Sequence, residues 1–149
     1  MGIATLGHAE ILCPNLEETY RHYHDVIGLE EELRGDGKIY MRGWGDWSKY
    51  TLVLTESEES GLGHAAFQVE EPGDLDEFAR RVEETGREVE WRGAGAEPGH
   101  GEAIRFTVPG GHRIELFHEI DRADIPKERK SRLKNQPQKI VDRGVGARR

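Results

Sequence analysis

Gly7-His8-Ala9 and Gly63-His64-Ala65 are the same tripeptide 56 residues apart, and each opens the same succession of segments. An alternating apolar run comes first, then a capped helix that stops at a glycine, then further strand-like stretches. Self-similarity at a fixed spacing points to a duplicated unit. When two such units pair about a pseudo-twofold axis, equivalent positions come together, and His8 and His64 are then expected to face one cavity.

Working outward from the first tripeptide, Thr5–Leu12 alternates as a half-buried strand, with Ala9 and Ile11 on one side and His8 and Glu10 on the other. Asn15 is placed to cap a helix, with Glu18 three residues on. Leu16, Tyr20, Tyr23 and Ile27 supply its apolar stripe and Gly28 its end. Three strands follow at 30–34, 38–42 and 50–55, with Asp36-Gly37 as the turn between the first two. From His64 the plan repeats. A strand runs to Val69, and Asp74 is expected to cap a helix striped by Leu75, Phe78 and Val82. That helix closes at Gly86, and strands follow at 88–91, 103–108 and 112–118. Pro109-Gly110-Gly111 makes the last turn. The sequence therefore predicts an α+β fold of two βαβββ modules forming a paired, curved mixed sheet over residues 1–118. Residues 119–149 lose the periodicity and read as a basic linker or tail.

Composition bounds the function. The chain has 149 residues and a formal net charge of −8. Residues 1–118 carry 11 Lys+Arg against 24 Asp+Glu, and residues 119–149 carry 10 against 5. An acidic core repels a nucleic-acid backbone, so nucleic acid is excluded as its partner. The basic tail reads first as a solvated segment and otherwise as a connector to a further domain. Cys13 is the only cysteine, which rules out an intramolecular disulfide and suits a reducing cytoplasm. No apolar run is long enough to span a bilayer, so no membrane role is expected.

Alternation decides which side chains converge. If Ala9 and Ile11 pack under a helix, His8 points the other way. Phe67 and Val69 leave His64 on the same open face, and Ile114 and Leu116 leave Glu115 there. A single strand histidine is more often an ordinary polar residue than a ligand, and Glu115 has Arg105 and Arg113 as simple ion-pair partners. The recurrence of both histidines at one place in the repeat carries the argument instead. Two imidazoles and a carboxylate on one face of a metal suit Fe(II) first, with Mn(II) or Zn(II) as alternatives, and leave positions open for substrate. The first-module counterpart of Glu115 falls at about Leu54, which cannot ligate. His22, His24, His112 and His118 are expected outside the site, and His100 reads as a loop histidine.

The chain resembles the vicinal oxygen chelate superfamily of glyoxalase I, bleomycin-resistance proteins and extradiol dioxygenases. The likeness covers residues 1 to about 118. It rests on the paired Gly-His-Ala, on Tyr23 with Ile27-Gly28-Leu29, and on Pro109 to Leu116. Residues 39–44, 51–54 and 61–64 resemble the N-terminal domain of catechol 2,3-dioxygenase and homoprotocatechuate 2,3-dioxygenase. The resemblance implies an Fe(II) extradiol ring-cleaving dioxygenase acting on a small aromatic diol with dioxygen, or only its N-terminal domain. It also implies a homodimer and a covalently attached second domain beyond Arg149. The alternatives are a non-catalytic ligand-binding or structural module and a glyoxalase-like metal isomerase, the latter disfavoured by Leu54. Where the family's catalytic copy has an acid-base histidine before the seventh strand and a tyrosine on it, this chain is expected to offer about Ala96 and Arg105. Tyr50 is expected in place of a further histidine.

Overall fold

The computed structural model describes residues 1–125. It contains β1 (Ile3–Cys13), α1 (Leu16–Arg21), β2 (Glu30–Gly35), β3 (Lys38–Arg42), β4 (Leu52–Glu56) and β5 (Gly61–Val69). These are followed by α2 (Asp74–Glu84), β6 (Glu90–Arg92), β7 (Ala103–Thr107) and β8 (Arg113–Phe117). All eight strands form one mixed sheet in the order β2-β3-β4-β1-β5-β8-β7-β6. Strand, helix and three strands are thus stated twice, as the repeat predicts, and the strand limits fall within a few residues of those expected.

The two modules join at the centre. β1 pairs antiparallel with β5 through His8↔Ala66, Ala9↔Ala65 and Glu10↔His64. Adding 56 to one member of each pair gives the partner of its mate, so the pseudo-twofold passes through the Ala9–Ala65 pair. Outside this seam, β1 runs parallel to β4, and β5 runs parallel to β8.

One face of the sheet carries the helices. Leu75 and Ala79 of α2 pack with Val69, Ile104 and Leu116. Leu16, Tyr20 and Tyr23 cover Cys13, Ile39, Met41 and Leu54. Burying one such leucine contributes about 1.5–3 kcal/mol. The opposite face holds Tyr40, Tyr50 and Val53 on one side of the seam and Ala66, Ala103 and Phe117 on the other, with Ile120 packed against both groups.

Several expectations need correction. The first helix is α-helical only to Arg21, and His22–Ile27 is a π-helical turn ended by Gly28 at φ 86. The wider turn rotates Ile27 off the apolar stripe, leaving it 56% exposed, and Leu29 packs on that cluster. Asn15 does cap this helix, accepting the Glu18 amide at 3.1 Å. Asp74 does not cap the second helix, whose N-cap is Gly73. Its carboxylate instead accepts the amides of Glu71 and Gly2, at 3.2 and 3.3 Å, and so ties down the N-terminus. Asp36 and Gly37 both adopt positive φ, 52 and 71, as a tight hairpin turn requires.

Residues 119–125 lie along the core. Asp121 donates its amide to Gly99 O at 2.7 Å, Ala123 donates to Trp47 O at 2.7 Å, and Ile125 is buried. Residues 126–149, where most of the basic tail falls, lie outside the described residues. Among the described residues, no helix is long and apolar enough to cross a membrane.

The repeated glycines have a steric cause. A Cβ on Gly7 would meet the Phe117 ring at 2.4 Å, and one on Gly63 would meet the Glu10 carboxylate at 2.2 Å. Gly63 makes room for a side chain of the adjacent β1, and Gly7 for the Phe117 ring reaching across β5 from β8. Gly7→Ala is expected to destabilise the fold by about 1–3 kcal/mol through overpacking. Denaturant unfolding checks this, and an unchanged midpoint would contradict the contact.

Candidate metal centre

His8, His64 and Glu115 converge as the alternation predicts. Each is 1% exposed, and their ligand atoms all lie within 4.8 Å of one another. The two Nε2 atoms are 3.0 Å apart, and each lies 3.9 Å from Glu115 Oε1. Three strands supply the three groups: β1 and β5 at the seam, and β8 beside β5.

Glu10, which alternation put on the face of His8, has a definite task. His64 Nδ1–H donates to Glu10 Oε2 at 2.8 Å, leaving the Nε2 lone pair of His64 directed at Glu115 and His8. Glu10 Oε1 accepts from Lys38 Nζ at 2.9 Å and from Thr55 Oγ1 at 2.7 Å. Burial raises the Glu10 carboxyl, but the bonds from His64, Lys38 and Thr55 outweigh it and hold it well below the usual carboxylate range. His8 is anchored differently. Its Nδ1 is buried and makes no hydrogen bond, and burial with His64 beside it pushes its pKa down to about 3. The ring is therefore neutral near pH 7, as a metal ligand must be.

The first-module counterpart of Glu115 is Val53, not Leu54. Glu115 pairs with Ala66 in β5, whose mate Glu10 pairs with Val53 in β4. Leu54 lies on the helix side of the sheet. The consequence stands: that position offers no ligand atom.

Three further groups complete the cluster. Arg105 occupies β7 opposite Glu115 and donates Nε–H to Glu115 Oε2, so the ion pair weighed for Glu115 exists together with the cluster. Arg113 is exposed and takes no part. His100 is only 6% exposed: its Nε2 lies 3.6 Å from Glu115 Oε1 and its ring packs on Phe117 at 4.4 Å. It is His100, not Ala96, that the loop before β7 brings to the cluster. Glu97, from the same loop, is 4% exposed and places Oε2 3.7 Å from His8 Nε2. Tyr50 does reach the site, donating to Glu97 Oε2 at 3.4 Å and meeting the His8 ring edge-on at 5.2 Å. Burial beside Glu97 raises its hydroxyl pKa far above the usual range. Glu10 was legible from its position two residues beyond His8. The loop residues were not, because no periodicity fixes where a loop side chain points.

The residues fit a divalent cation. Glu115 Oε1 and His100 Nε2 are buried without a hydrogen-bond partner, and Glu115 Oε1 faces both histidine Nε2 atoms. A buried carboxylate oxygen left bare is costly, and a cation among these atoms would satisfy it. The donor set of imidazole and carboxylate suits Fe(II), Mn(II) or Zn(II).

In the metal-free protein these shifts make stability depend on pH. Between about pH 3 and 6.5 the unfolded His8 imidazole binds a proton that the folded one refuses. That contribution is full above about 6.5 and is lost as pH falls toward 3, amounting to roughly a few kcal/mol. Glu10 has the same sign below its ordinary pKa of 4.5. The denaturation midpoint should therefore fall between about pH 7.5 and about pH 5, and His8→Gln should flatten that slope. Parallel profiles for the two proteins would contradict the assignment to His8.

Comparison with known proteins agrees with this architecture. The catechol 2,3-dioxygenase-like N-terminal domain family matches residues 62–121. A manganese-dependent 2,3-dihydroxybiphenyl 1,2-dioxygenase of Geobacillus genomosp. 3 is 39% identical over 133 residues, covering 89% of this chain and 42% of that protein. A metapyrocatechase of Geobacillus stearothermophilus is 35% identical over 147 residues, covering 99% and 44%. Homoprotocatechuate 2,3-dioxygenase from Brevibacterium fuscum, solved with 3,4-dihydroxyphenylacetate, superposes with a TM-score of 0.78 at 30% identity, covering 83% of this chain and 39% of that one. The chain thus spans less than half the length of these relatives. It belongs to the vicinal oxygen chelate superfamily, among the relatives of the extradiol dioxygenases and with the likeness of their N-terminal domain.

Proposed function

We propose that this chain is the N-terminal module of a metal-dependent extradiol dioxygenase acting on small aromatic diols with dioxygen. Residues 1–118 are the paired module and the basic segment after them is the connector to a second domain. In this reading His8, His64 and Glu115 hold one divalent cation, Fe(II) or Mn(II), with Zn(II) as the redox-inert alternative. The observation that carries it is the bare Glu115 Oε1, buried 3.9 Å from each of two imidazole nitrogens that are themselves 3.0 Å apart. One relative is named as manganese-dependent, which supports Mn(II) beside Fe(II).

A bound metal would supply Lewis acidity for a diol oxygen and, as Fe(II) or Mn(II), a site for dioxygen. The protein's own part is positioning and proton handling. Glu10 fixes the tautomer of His64, and Arg105 holds one oxygen of Glu115 so that the other faces the histidines. Burial lowers the pKa of His100, so this ring is neutral and its unpartnered Nε2 can accept a proton. His100 also lines a cavity of about 620 Å³ with Trp47, Gln68, His118 and Ile120. A cavity of that size holds a single-ring diol. His100 thus stands between the cavity and Glu115, within reach of a hydroxyl that approaches the cluster.

Arg105 favours a second reading, a non-catalytic module of the same fold. Its Nη2 lies 3.5 Å from His64 Nε2 while its Nε holds Glu115, so a guanidinium already serves as counter-ion inside the cluster. Metal loading separates the two readings. Anaerobically purified protein given Fe(II) or Mn(II) should retain about one equivalent, and Glu115→Gln and His64→Gln should each bind at least about 100-fold more weakly. Loaded protein should then consume oxygen with catechols and form the coloured ring-fission product. Metal retention no greater than in the two variants would overturn the metal-centred reading. Light scattering tests the homodimer that belongs to the same proposal.

A further inference from the structure

We infer that residues 119–125 form a strap that shuts the cluster of His8, His64 and Glu115 off from solvent and opens, without the sheet, to let a divalent cation in. The inference rests on the metal-centred reading above and adds the step by which the centre is loaded. His8, His64 and Glu115 are each 1% exposed, and Tyr50, Glu97 and His100 beside them are buried as well. Ligands that water barely touches cannot meet a hydrated cation until some part of their cover moves.

Sheet, loop and strap all cover the cluster, and they differ in how firmly they are held. The sheet is locked by its ladders, with β1 and β5 each paired on both sides. The loop between β6 and β7 is tied to the strap, since Asp121 N–H donates to Gly99 O at 2.7 Å and Gly101 N–H to Glu119 O at 2.9 Å. The strap reaches the first module through Lys49 N–H to Asp121 O at 2.8 Å and Ala123 N–H to Trp47 O at 2.7 Å. It therefore lies across the gap between residues 47–49 and 99–101. One lip meets it at the Ser48–Arg122 bridge and the other at the His100–Ile120 bridge. Ile120 fills the gap, packing against the group of Tyr40, Tyr50 and Val53 and against that of Ala66, Ala103 and Phe117.

Of the three, the strap is the least firmly held. Glu119, Asp121, Arg122 and Asp124 are exposed, so their side chains lose little on leaving. The Lys49 ammonium lies 3.6 Å from the Asp121 carboxylate, and the Arg122 guanidinium sits 5.1 Å over the Trp47 ring. Exposed contacts of this kind add little. Ile125 is the strap's one buried side chain, with Ile120 and Ala123 half-buried. A segment with few buried apolar groups opens at a lower free energy than core strands. Its release also frees Gly99 and Gly101, so a single movement parts both lips.

Two glycines let the strap lie close. A Cβ on Gly101 would meet Glu119 Cβ at 2.9 Å and Glu119 O at 3.3 Å, and one on Gly99 would meet Asp121 Cβ at 2.9 Å. Gly99 has a positive φ of 66, whereas Gly101 does not share that conformation, so alanine at 101 strains only the contact with the strap. Gly101→Ala is thus a wedge set between strap and loop. The cavity of about 620 Å³ is lined by both, Ile120 and Arg122 from the strap and Gly99 and His100 from the loop. Parting them widens the space beside His100.

The test follows Mn(II) uptake and release by the intact chain in stopped flow. It compares the wild type with Gly101→Ala and with Ala123→Pro, which removes the amide bonded to Trp47 O. The strap carries none of the cluster's donors, so its opening changes how fast the ion enters and leaves and not how tightly it is held. Each variant is expected to take up and release Mn(II) about 10-fold faster, with the dissociation constant within about two-fold of the wild type. Hydrogen exchange of the metal-free wild type gives a readout that needs no variant. The amides of Lys49, Gly101, Asp121 and Ala123 should exchange together and faster than those of β1 and β5. An unchanged uptake rate in either variant overturns the inference and leaves the metal centre standing. Weaker binding without faster uptake, the mark of disturbed ligands, also overturns it, as does exchange of the strap amides no faster than that of β1 and β5. If neither wild type nor variant binds Mn(II), the metal-centred reading fails and this inference fails with it.

Discussion

The in-register pairing of β1 with β5 fixes where every later group can act. Because His8 faces Ala66 and Glu10 faces His64 across the seam, the repeat's two histidines approach to 3.0 Å between their Nε2 atoms. A slip of one residue would turn both rings to the helix side, where the apolar clusters leave no room for them. The helices packed on one face and the glycines that let side chains cross both serve this register. They stabilise the sheet, and the sheet delivers β8 with Glu115 to the same face.

Much of this was legible in the chain, and the limits of legibility have physical causes. Strand alternation has a period of two, so knowing that Phe67, Val69, Ile114 and Leu116 pack under a helix is enough to place His64 and Glu115 opposite. The same rule placed Glu10 beside His8, although its partner His64 becomes visible only once the strand pairing is known. Helix ends were less legible. Asn15 capped as expected, but the π turn after Arg21 depends on how Tyr23 and Leu29 pack, which no cap residue announces. Glu97 and His100 were out of reach for a stronger reason: their directions are set by backbone bonds to residues 119–121, a segment that reads as tail from sequence alone.

In the proposed metal centre, Arg105 and a divalent ion would compete for the same carboxylates. Arg105 already neutralises one oxygen of Glu115 and one of Glu97, and it does so from the strand next to Glu115 rather than from a flexible surface position. Such a buried ion pair contributes little net stability by itself, because desolvation offsets most of the attraction. Its effect is geometric. By occupying one oxygen of each carboxylate it forces single-oxygen approach by anything else, and it lowers the attraction of the cluster for a second positive charge. A divalent ion bound here would therefore be held by donor geometry more than by net field.

The duplication also explains why the two imidazoles are unequal. The pseudo-twofold maps Glu10 onto Ala66, so the carboxylate that anchors His64 Nδ1 has no counterpart at His8, and His8 Nδ1 remains bare. Thr55 and Lys38, which complete the polar group around Glu10, map onto Phe117 and Ala103, and these form an apolar cluster with Ala66. In the other direction, Glu115 and Arg105 map onto Val53 and Tyr40. Each half thus lacks what the other has: one carries Glu115 and its guanidinium partner, the other the carboxylate that fixes a histidine tautomer. A symmetric cluster would place four carboxylates around two imidazoles and repel itself apart at neutral pH. The asymmetry of the copies removes that repulsion while the two imidazoles still meet across the axis.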